Sequence, residues 1–232
     1  MPRFPIADLP AAPDLSFENA LWDAGCTRIA GLDEAGRGAW AGPVYAGAVI
    51  LPPEPELVRC LHGVRDSKQM TPRQREHWAV EIIAAAAAWG IGSASAAEID
   101  ALGILPATRL AMQRALEVCA LPAQHLLIDA VRLKAVDLPQ TPLIKGDRRS
   151  LSIAAASVLA KTARDAWMVA LDQELPAYGF AAHKGYGTRR HQQALAQYGA
   201  CPEHRMSYAP LRAHASHPPP SRRPGCWGTP LG

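Results

Sequence analysis

Cysteine is scarce in this sequence, and long apolar runs are missing altogether. The 232 residues include five cysteines, at positions 26, 60, 119, 201 and 226. Their number is odd and none has C-x-x-C or zinc-ligand spacing, which excludes a disulfide framework and favours a reducing compartment. No stretch is long and apolar enough to span a membrane, and residues 1–13 lack the apolar segment of a signal peptide. These absences predict a cytoplasmic protein without a membrane partner.

A strong net charge is also missing. Lys and Arg exceed Asp and Glu by 24 to 21, a formal charge of +3, which is too small to indicate a polyanion partner by itself. The distribution is uneven, however. Segment 183–205 has a single acid, Glu203, against several histidines and the basic residues Lys184, Arg189, Arg190 and Arg205. This segment predicts a local basic face suited to phosphates.

The composition, with 49% hydrophobic and 19% charged residues, is that of a globular protein of one domain. We predict a Pro-rich leader over 1–15, a folded domain over 16–213 and a disordered tail over 214–232. The tail is assigned because Pro, Ser, His, Arg and Gly dominate it. The sequence contains no internal repeat.

Periodicity and turn signals predict alternating strands and helices. Five apolar runs are predicted strands, at 28–32, 43–51, 91–95, 124–128 and 141–144. Helices are predicted at 16–24, with Ser16 as a possible cap, and at 71–89, 97–119 with a break at Gly103, 151–175 and 189–198. The first two strands flank a glycine turn and predict a hairpin. This order predicts an α/β fold, a mixed β-sheet flanked by helices.

Four acids follow three of the predicted strands. They are Asp33 and Glu34 after the first, Asp129 after the fourth and Asp147 after the fifth. Each alone is consistent with a helix cap or an acceptor for loop amides. Together they repel one another unless a cation neutralises them, and hard oxygen ligands favour Mg²⁺ or Mn²⁺. Asp165, one helical turn after Lys161, is predicted to form an ion pair, with a metal role as the outside alternative.

Glycine-rich turns provide the second group of candidates. The glycines at 36, 38 and 42 have the wrong spacing for a dinucleotide fingerprint, and a strand follows them. Gly36-Arg37-Gly38 is either a plain hairpin turn or a place where the backbone approaches a sugar or phosphate. The segment starting at Lys145 is not a P-loop, and Lys145 is either solvated or a phosphate ligand. Ser150 is a predicted helix cap.

For two further segments the sequence is consistent with either a structural or a binding role. Tyr186 lies between glycines in His183-Lys184-Gly185-Tyr186-Gly187-Thr188. It can stack on a base or sugar while Lys184 meets a phosphate, or it can anchor the loop in the core. Asp66-Ser67-Lys68 is either a turn or part of the same site.

In this order, the motifs resemble those of the ribonuclease HII family. The resemblance runs from about residue 16 to 212 and rests on the segments 31–38 with 41–44, 66–68, 145–147, 152–157 with 160–161, 183–188 and 204–210. Two departures stand out. Asp129 is followed by Ala130-Val131, where bacterial members usually have Gly-Asn, and Tyr208 stands where the family usually has Phe.

The resemblance implies a ribonuclease H-like fold with a C-terminal helical extension. It implies endonucleolytic cleavage of the RNA strand of RNA–DNA hybrids, and of single ribonucleotides embedded in duplex DNA. Two Mn²⁺ or Mg²⁺ ions, about 4 Å apart, would activate water and leave 5′-phosphate and 3′-hydroxyl ends. The chain is taken as a monomer by default.

The resemblance also assigns roles to residues. Asp33, Glu34 and Asp129 are the implied metal ligands, with Asp147 as the fourth catalytic acid. The implied nucleic-acid contacts are the ribonucleotide-sensing Gly36, Arg37 and Gly38, the stacking Tyr186, and the phosphate-binding Lys68, Lys145 and Lys184. Two alternatives remain: another metal nuclease on a related fold, such as a junction resolvase, and a non-catalytic hybrid-binding module.

Overall fold

A computed structural model describes residues 9–212; the predicted tail lies outside them. The five predicted strands are present and form one sheet in the order β3-β2-β1-β4-β5. They are β1 (Ile29–Ala35), β2 (Val44–Ile50), β3 (Ala88–Ala94), β4 (His125–Asp129) and β5 (Gln140–Leu143). Strand β1 is antiparallel to β2, as the hairpin prediction requires, and parallel to β4. The sheet is therefore mixed, as predicted.

Helices cover the sheet and continue beyond it. They are α1 (Ser16–Asp23), α2 (Leu57–Cys60), α3 (Pro72–Ala85), α4 (Ala96–Leu102), α5 (Ile104–Glu117), α6 (Leu151–Glu174), α7 (Phe180–His183), α8 (Arg189–Tyr198) and α9 (Ala209–Arg212). Two 3₁₀ turns lie at Ser67–Gln69 and Gly146–Arg148. Helix α8 has the predicted bounds. Among residues 9–212, no helix has both the length and the apolar character of a membrane span.

The structure corrects two predicted boundaries and one predicted helix cap. The helix predicted over 71–89 ends at Ala85, because Ala88 and the residues after it pair with β2 as strand β3. The first strand runs on to Ala35, so Asp33 and Glu34 lie inside β1 rather than after it. Ser16 does not cap α1; its amide instead donates to the Asp14 carboxylate, 2.9 Å away.

The core lies on both faces of the sheet. Helix α6 covers one face, and its residues 151–160 are all buried. Gly31 allows this close packing, since a Cβ there would lie 2.2 Å from the carbonyl carbon of Ser152. Helix α5 covers the other face with its buried Ala107, Ala111 and Ala115. Because side chains alternate along a strand, Asp33 lies on the same face as Gly31, under α6.

The start of α6 is fixed by polar contacts with the N-terminal segment. Ser150 caps α6 as predicted, with its hydroxyl accepting from the Ile153 amide. Glu18 is buried and accepts from the hydroxyls of Ser150 and Ser152, each at 2.6 Å. Asp14 forms a backbone bridge with Ser150, so the end of the predicted leader packs on the sheet domain. The division of the chain at residues 15 and 213 stays a prediction.

The C-terminal helices α7, α8 and α9 form the predicted helical extension. A separate apolar cluster attaches α7 and α8 to the second half of α6, through Met168, Leu171, Tyr178, Phe180 and Ala194. The cluster includes Ala41, which follows the glycine turn after β1. The extension is therefore packed directly against the segment that holds the candidate site.

Candidate active site

Asp33 is the most deeply buried of the candidate acids, with 2% of its surface exposed. One carboxylate oxygen accepts from the Glu34 amide at 2.7 Å. The other is buried and has no hydrogen-bond partner within residues 9–212. Burial, with the neighbouring carboxylates of Glu34 and Asp129, raises the pKa of Asp33 well above its usual range. A buried carboxylate in this state is costly unless a cation or further hydrogen-bond donors compensate it.

Asp129 lies beside Asp33 on the adjacent parallel strand. Leu32 pairs with Ile128, so the two aspartates occupy the next position on β1 and β4. The Asp129 carboxylate accepts from the Gly146 amide at 2.7 Å, which ties it to the turn that carries Asp147. Burial raises the pKa of Asp129 despite this hydrogen bond. The parallel register thus brings together two acids that are 96 positions apart in sequence.

Glu34 and Asp147 complete the predicted set. One oxygen of Glu34 pairs with Arg37 at 3.0 Å, and the other is buried without a partner within residues 9–212. Asp147 lies in the 3₁₀ turn Gly146–Arg148 rather than at a strand end. Burial, then the carboxylates of Asp66 and Asp129, raise the pKa of Asp147 to about 6. All four acids therefore share one electrostatic environment.

Asp66 is a fifth carboxylate in this environment, and sequence reasoning did not assign it. It caps the 3₁₀ turn Ser67–Gln69 and accepts from the Lys68 amide. The Lys68 ammonium lies 3.7 Å from an Asp147 oxygen and 4.0 Å from an Asp66 oxygen, with 74% of its side chain exposed. Partial removal from water lowers the pKa of Lys68, but Asp33, Asp66 and Asp147 together raise it above its usual value. The Asp-Ser-Lys motif was the available signal.

The donor set fits a hard divalent cation in its chemistry. It consists of carboxylates, the ligand type that Mg²⁺ and Mn²⁺ prefer, and it includes two buried oxygens that lack partners. In the conformation described, no three His, Cys, Asp or Glu side chains within residues 9–212 converge closely enough to hold one ion. Glu34 is turned toward Arg37 and Asp129 toward the Gly146 amide.

The raised pKa of Asp147 predicts a pH-dependent stability difference. Its folded-state value of about 6 lies above the ordinary 3.8, so the unfolded chain ionises first as the pH rises. In the metal-free protein, the free energy of unfolding is therefore not reduced by Asp147 below pH 3.8. It falls as the pH rises from 3.8 through about 6, where Asp147 is forced to ionise inside the fold. Asp147→Asn cannot ionise, and its stability advantage over the parent should grow over this window, by up to about 3 kcal/mol.

Urea unfolding in EDTA at several pH values between 4 and 7 measures this difference. Excess Mn²⁺ at pH 7 is the control, because a bound cation should reduce or reverse the advantage of the variant. A difference that stays constant across the pH range would contradict the assigned environment of Asp147.

Ala130 shows how this chain keeps a turn that normally favours glycine. Its φ is +55°, in the left-handed region, and it is exposed. The missing glycine after Asp129 therefore leaves the turn intact, but with backbone strain of about 1–2 kcal/mol.

We expect Ala130→Gly to raise the free energy of unfolding by roughly 1 kcal/mol, because glycine relieves the strain at some entropic cost. Thermal unfolding should shift upward by about 2–4 °C. Ala120→Gly, at an exposed alanine whose φ is not positive, is the matched control and should not stabilise the protein. Equal shifts in the two variants would contradict the assignment of strain to Ala130.

The Gly36-Arg37-Gly38 turn is held in place by two buried arginines. Arg164 is fully buried and donates to three carbonyl oxygens, those of Pro43, Ala41 and Lys184 at 2.9–3.1 Å. Gly36 has a φ of +95°, and a Cβ there would lie 2.0 Å from the Arg164 Nε. Only glycine therefore fits between β1 and this guanidinium.

The second arginine holds the Arg37 carbonyl. Arg205 is fully buried and donates to the carbonyls of Gly42 and Arg37 at 2.9 and 3.0 Å. The Tyr208 hydroxyl donates to the same Arg37 carbonyl at 2.6 Å. Arg205 was predicted to lie on a basic face, which is wrong, because its guanidinium satisfies main-chain carbonyls inside the fold. Lys184, Arg189 and Arg190 remain at least partly accessible.

Tyr186 lies on the surface beside this turn, with 37% exposure, so it is not a core anchor. The Lys161 ammonium and the Arg164 guanidinium lie 5.7 and 5.6 Å from its ring centroid. Its loop is attached to the segment after the glycine turn, where the Trp40 amide donates to the Gly185 carbonyl at 2.8 Å. Arg164 thus touches both the glycine turn and Tyr186.

The remaining candidates lie around this centre. Lys145 is half-buried, with a left-handed φ of +55°. The Lys184 ammonium donates to the Ala181 carbonyl. The predicted ion pair of Asp165 with Lys161 is present at 2.7 Å, and Arg75 occupies its other oxygen at 2.9 Å. Asp165 is therefore fully engaged by two cations.

Comparison with known proteins agrees with this fold. The family model for ribonuclease HII matches residues 30–211. A ribonuclease HII of Roseiflexus castenholzii is 56% identical over 203 residues, covering 86% of this chain and 89% of the relative. One of Synechococcus sp. strain JA-3-3Ab is 54% identical over 202 residues, covering 86% and 90%.

Solved structures confirm the ribonuclease H-like fold. The ribonuclease H2 of Pyrococcus horikoshii OT3 matches with a TM-score of 0.66 at 26% identity, covering 80% of this chain and 96% of its own. Bst-RNase HIII, solved in complex with Mn²⁺, shares the fold with a TM-score of 0.60 at 17% identity, covering 82% and 70%. The chain therefore belongs to the ribonuclease HII family, endonucleolytic hydrolases that act on RNA–DNA hybrids and leave 5′-phosphate ends.

Proposed function

We propose that this ribonuclease H also cleaves on the 5′ side of a single ribonucleotide embedded in duplex DNA. Asp33, Glu34 and Asp129 would hold divalent cations, Mn²⁺ or Mg²⁺ and two during catalysis, with Asp147 as the fourth acid. Bound there, the cations would supply Lewis-acid activation of water and neutralise charge on the leaving oxygen. The proposal rests on one observation: the glycine turn begins directly after the strand that carries Asp33 and Glu34.

The glycine turn is suited to reading the sugar. Within residues 9–212, the amides of Arg37 and Gly38 have no hydrogen-bond acceptor. Gly38 is exposed, and a Cβ there would meet no atom within 4 Å, so the approach from solvent is open. The 2′-hydroxyl distinguishes RNA from DNA at a single position and can accept from such amides. A main-chain sensor three and four residues after Glu34 would couple recognition of a ribonucleotide to cleavage beside it.

Side chains around the turn would position the strand. Tyr186 presents an exposed ring that can pack against the sugar at the junction. Lys68 is mostly exposed at the rim of the acid cluster, where it pairs with Asp147. With Asp147 neutralised by a bound cation, the Lys68 ammonium would be available to a substrate phosphate. Lys145 and Lys184 would contact phosphates farther along the strand.

A duplex with one ribonucleotide in otherwise DNA strands tests the proposal. The expected result is a nick on the 5′ side of the ribonucleotide with Mn²⁺ or Mg²⁺, and no nick with EDTA or with an all-DNA duplex. Enzymatic labelling of the product ends should show a 5′-phosphate and a 3′-hydroxyl. Cleavage of a uniform RNA–DNA hybrid without any nick at the single ribonucleotide would refute the proposal.

The family match leaves the two alternatives from the sequence without support. A hybrid-binding module would lack a carboxylate, whereas all four predicted acids are present. A branched all-DNA substrate checks the resolvase alternative and should not be cut. The monomeric state and the cytoplasmic location stay predictions; light scattering tests the former.

A further inference from the structure

Three buried histidines form a cluster behind Tyr186 that the proposed reaction does not use. His183, His191 and His204 are 8%, 0% and 1% exposed. The rings of His183 and His191 are stacked with centroids 4.5 Å apart. His204 comes from the closing segment of the chain, so the cluster joins α7 and α8 to that segment.

The hydrogen bonds of His204 define which nitrogen carries its proton. The Cys201 amide lies 2.9 Å from His204 Nδ1, and the Cys201 thiol lies 3.0 Å from the same nitrogen. Burial raises the pKa of that thiol to about 11, so it keeps its proton and can donate. The Cys201 carbonyl, at 3.2 Å, is the weaker partner, because two donors already face Nδ1. Nδ1 is therefore the acceptor, and the proton is on Nε2.

The same donor-to-acceptor order of hydrogen bonds continues from His204 through His191 to Tyr186. His204 Nε2 lies 3.0 Å from His191 Nε2, and since the former donates, the latter accepts. A neutral imidazole has one donor and one acceptor, so His191 carries its proton on Nδ1. That nitrogen lies 3.0 Å from the Tyr186 carbonyl oxygen and donates to it. One directed relay thus runs from the Cys201 amide through two imidazoles to Tyr186.

Burial disfavours the charged forms of His191 and His183. Burial lowers the pKa of His191 to about 4, and burial also lowers that of His183. His183 accepts from the Gly185 amide through Nδ1 at 3.2 Å and donates through Nε2 to the Tyr178 carbonyl at 2.9 Å. It therefore holds the other side of the Tyr186 loop without competing for the relay.

The relay reaches one part of the proposed sugar-reading surface by a hydrogen bond and is linked to the other part through the chain. His191 holds the Tyr186 carbonyl, while Arg205, the residue after His204, holds the Arg37 carbonyl of the glycine turn at 3.0 Å. We infer that His191 and His204 are positioning residues that set Tyr186 against the glycine turn and thereby raise the rate of cleavage at a single ribonucleotide relative to that on continuous RNA. This inference deepens the proposed function and rests on it.

Two substitutions of similar size distinguish the hydrogen bond of His191 to Tyr186 from its hydrogen bond to His204. In His191→Asn the side-chain amide takes the place of Nδ1 and can still donate to Tyr186. In His191→Gln it takes the place of Nε2, keeps the contact with His204, and leaves the Tyr186 carbonyl without a donor. We compare the rate of nicking at a single ribonucleotide with the rate on a uniform RNA–DNA hybrid, and use the ratio as the readout.

The ratio should fall about tenfold in His191→Gln, which corresponds to the loss of one hydrogen bond of about 1.4 kcal/mol. It should fall clearly less in His191→Asn. Tyr186→Ala provides the reference for complete loss of the positioned ring. Equal ratios in parent, His191→Asn and His191→Gln would overturn the inference, since a purely structural histidine affects stability without affecting the ratio.

A measurement on the unmodified chain keeps the test independent of folding and of the proposed function. Imidazole ¹⁵N NMR should show His191 protonated on Nδ1 and His204 on Nε2. The opposite tautomers would overturn the relay even if the variants fail to fold. If the parent does not nick at a single ribonucleotide, the proposed function fails instead, and the tautomers still decide whether the relay exists.

Discussion

Asp33→Asn should abolish metal-dependent cleavage while making the metal-free protein more stable. One oxygen of Asp33 has no partner within residues 9–212, and burial, together with the neighbouring acids, raises the pKa of this carboxyl. Asparagine removes the charge that would hold a cation. Cleavage of an RNA–DNA hybrid in Mn²⁺ should fall at least about 1,000-fold, because several kcal/mol of transition-state stabilisation are lost.

The stability gain comes from the same charge. An uncompensated buried polar group costs about 1–3 kcal/mol, and the substitution relieves this at pH 8 in EDTA. Urea unfolding should therefore show a higher free energy of unfolding for the variant than for the parent. Asp23→Asn, at an exposed aspartate of α1, is the control and should change neither property.

The two readouts exclude different errors. Full activity of Asp33→Asn in Mn²⁺ would refute the assignment of Asp33 as a ligand. Loss of activity together with loss of stability would indicate a structural role, because a misfolded site also fails to cleave. Only lost cleavage with gained stability fits a carboxylate that is held in the fold for a cation.

Gly36→Ala should give the second large effect. A Cβ at Gly36 would lie 2.0 Å from Nε and 2.5 Å from Cδ of Arg164. Arg164 cannot move aside easily, since its guanidinium is fully buried and donates to three carbonyls. Overpacking and the strain of a positive φ together should lower the free energy of unfolding by about 3 kcal/mol.

The same substitution should displace the turn relative to the acids. Cleavage at a single ribonucleotide is expected to fall roughly 100-fold, since a shift of about 1 Å in a positioned group has effects of that size. Gly25→Ala is a matched control, because Gly25 has a φ of +86° but a Cβ there would meet nothing within 4 Å. That variant should show strain alone and cleave at the parental rate.

Gly38→Ala separates folding from substrate approach. Its Cβ would contact no protein atom within 4 Å, so stability should be retained, whereas KM for the ribonucleotide substrate should rise if the sugar approaches this backbone.

If Gly36→Ala loses no more stability than Gly25→Ala and nicks at the parental rate, the turn is not clamped by Arg164 as the structure indicates.

Local pattern was enough to predict the sheet and the acid set. The five apolar runs are short, β-branched or alanine-rich, and bounded by turn residues, so each was assigned correctly as a strand. The helix predicted over 71–89 overshot because Trp89 and Gly90 pair with β2, and that partner lies about 40 positions away in sequence. Convergence of Asp33 and Asp129 followed from a parallel sheet, which the alternation of strands and helices implied.

The buried arginines that hold the glycine turn could not be predicted in the same way. Arg164 and Arg205 are fully buried, and their acceptors are main-chain carbonyls up to 168 positions away in sequence. A carbonyl oxygen is present at every residue, so no pattern marks the few that accept from an arginine. The placement of Arg205 on a solvent face was wrong for this reason. Asp66 was visible as part of a motif, but its proximity to Asp147 depends on how two separate turns meet.

The family and the strands could be predicted, and the acids named as candidates, because each is recorded in contiguous residues or in the order of motifs along the chain. The tertiary structure alone decided that the glycine turn is clamped by two arginines, that Tyr186 is exposed, and that three histidines are buried behind it. The physical reason is that a buried donor must find an acceptor somewhere in the folded chain. Which acceptor it finds is settled only when distant segments pack together.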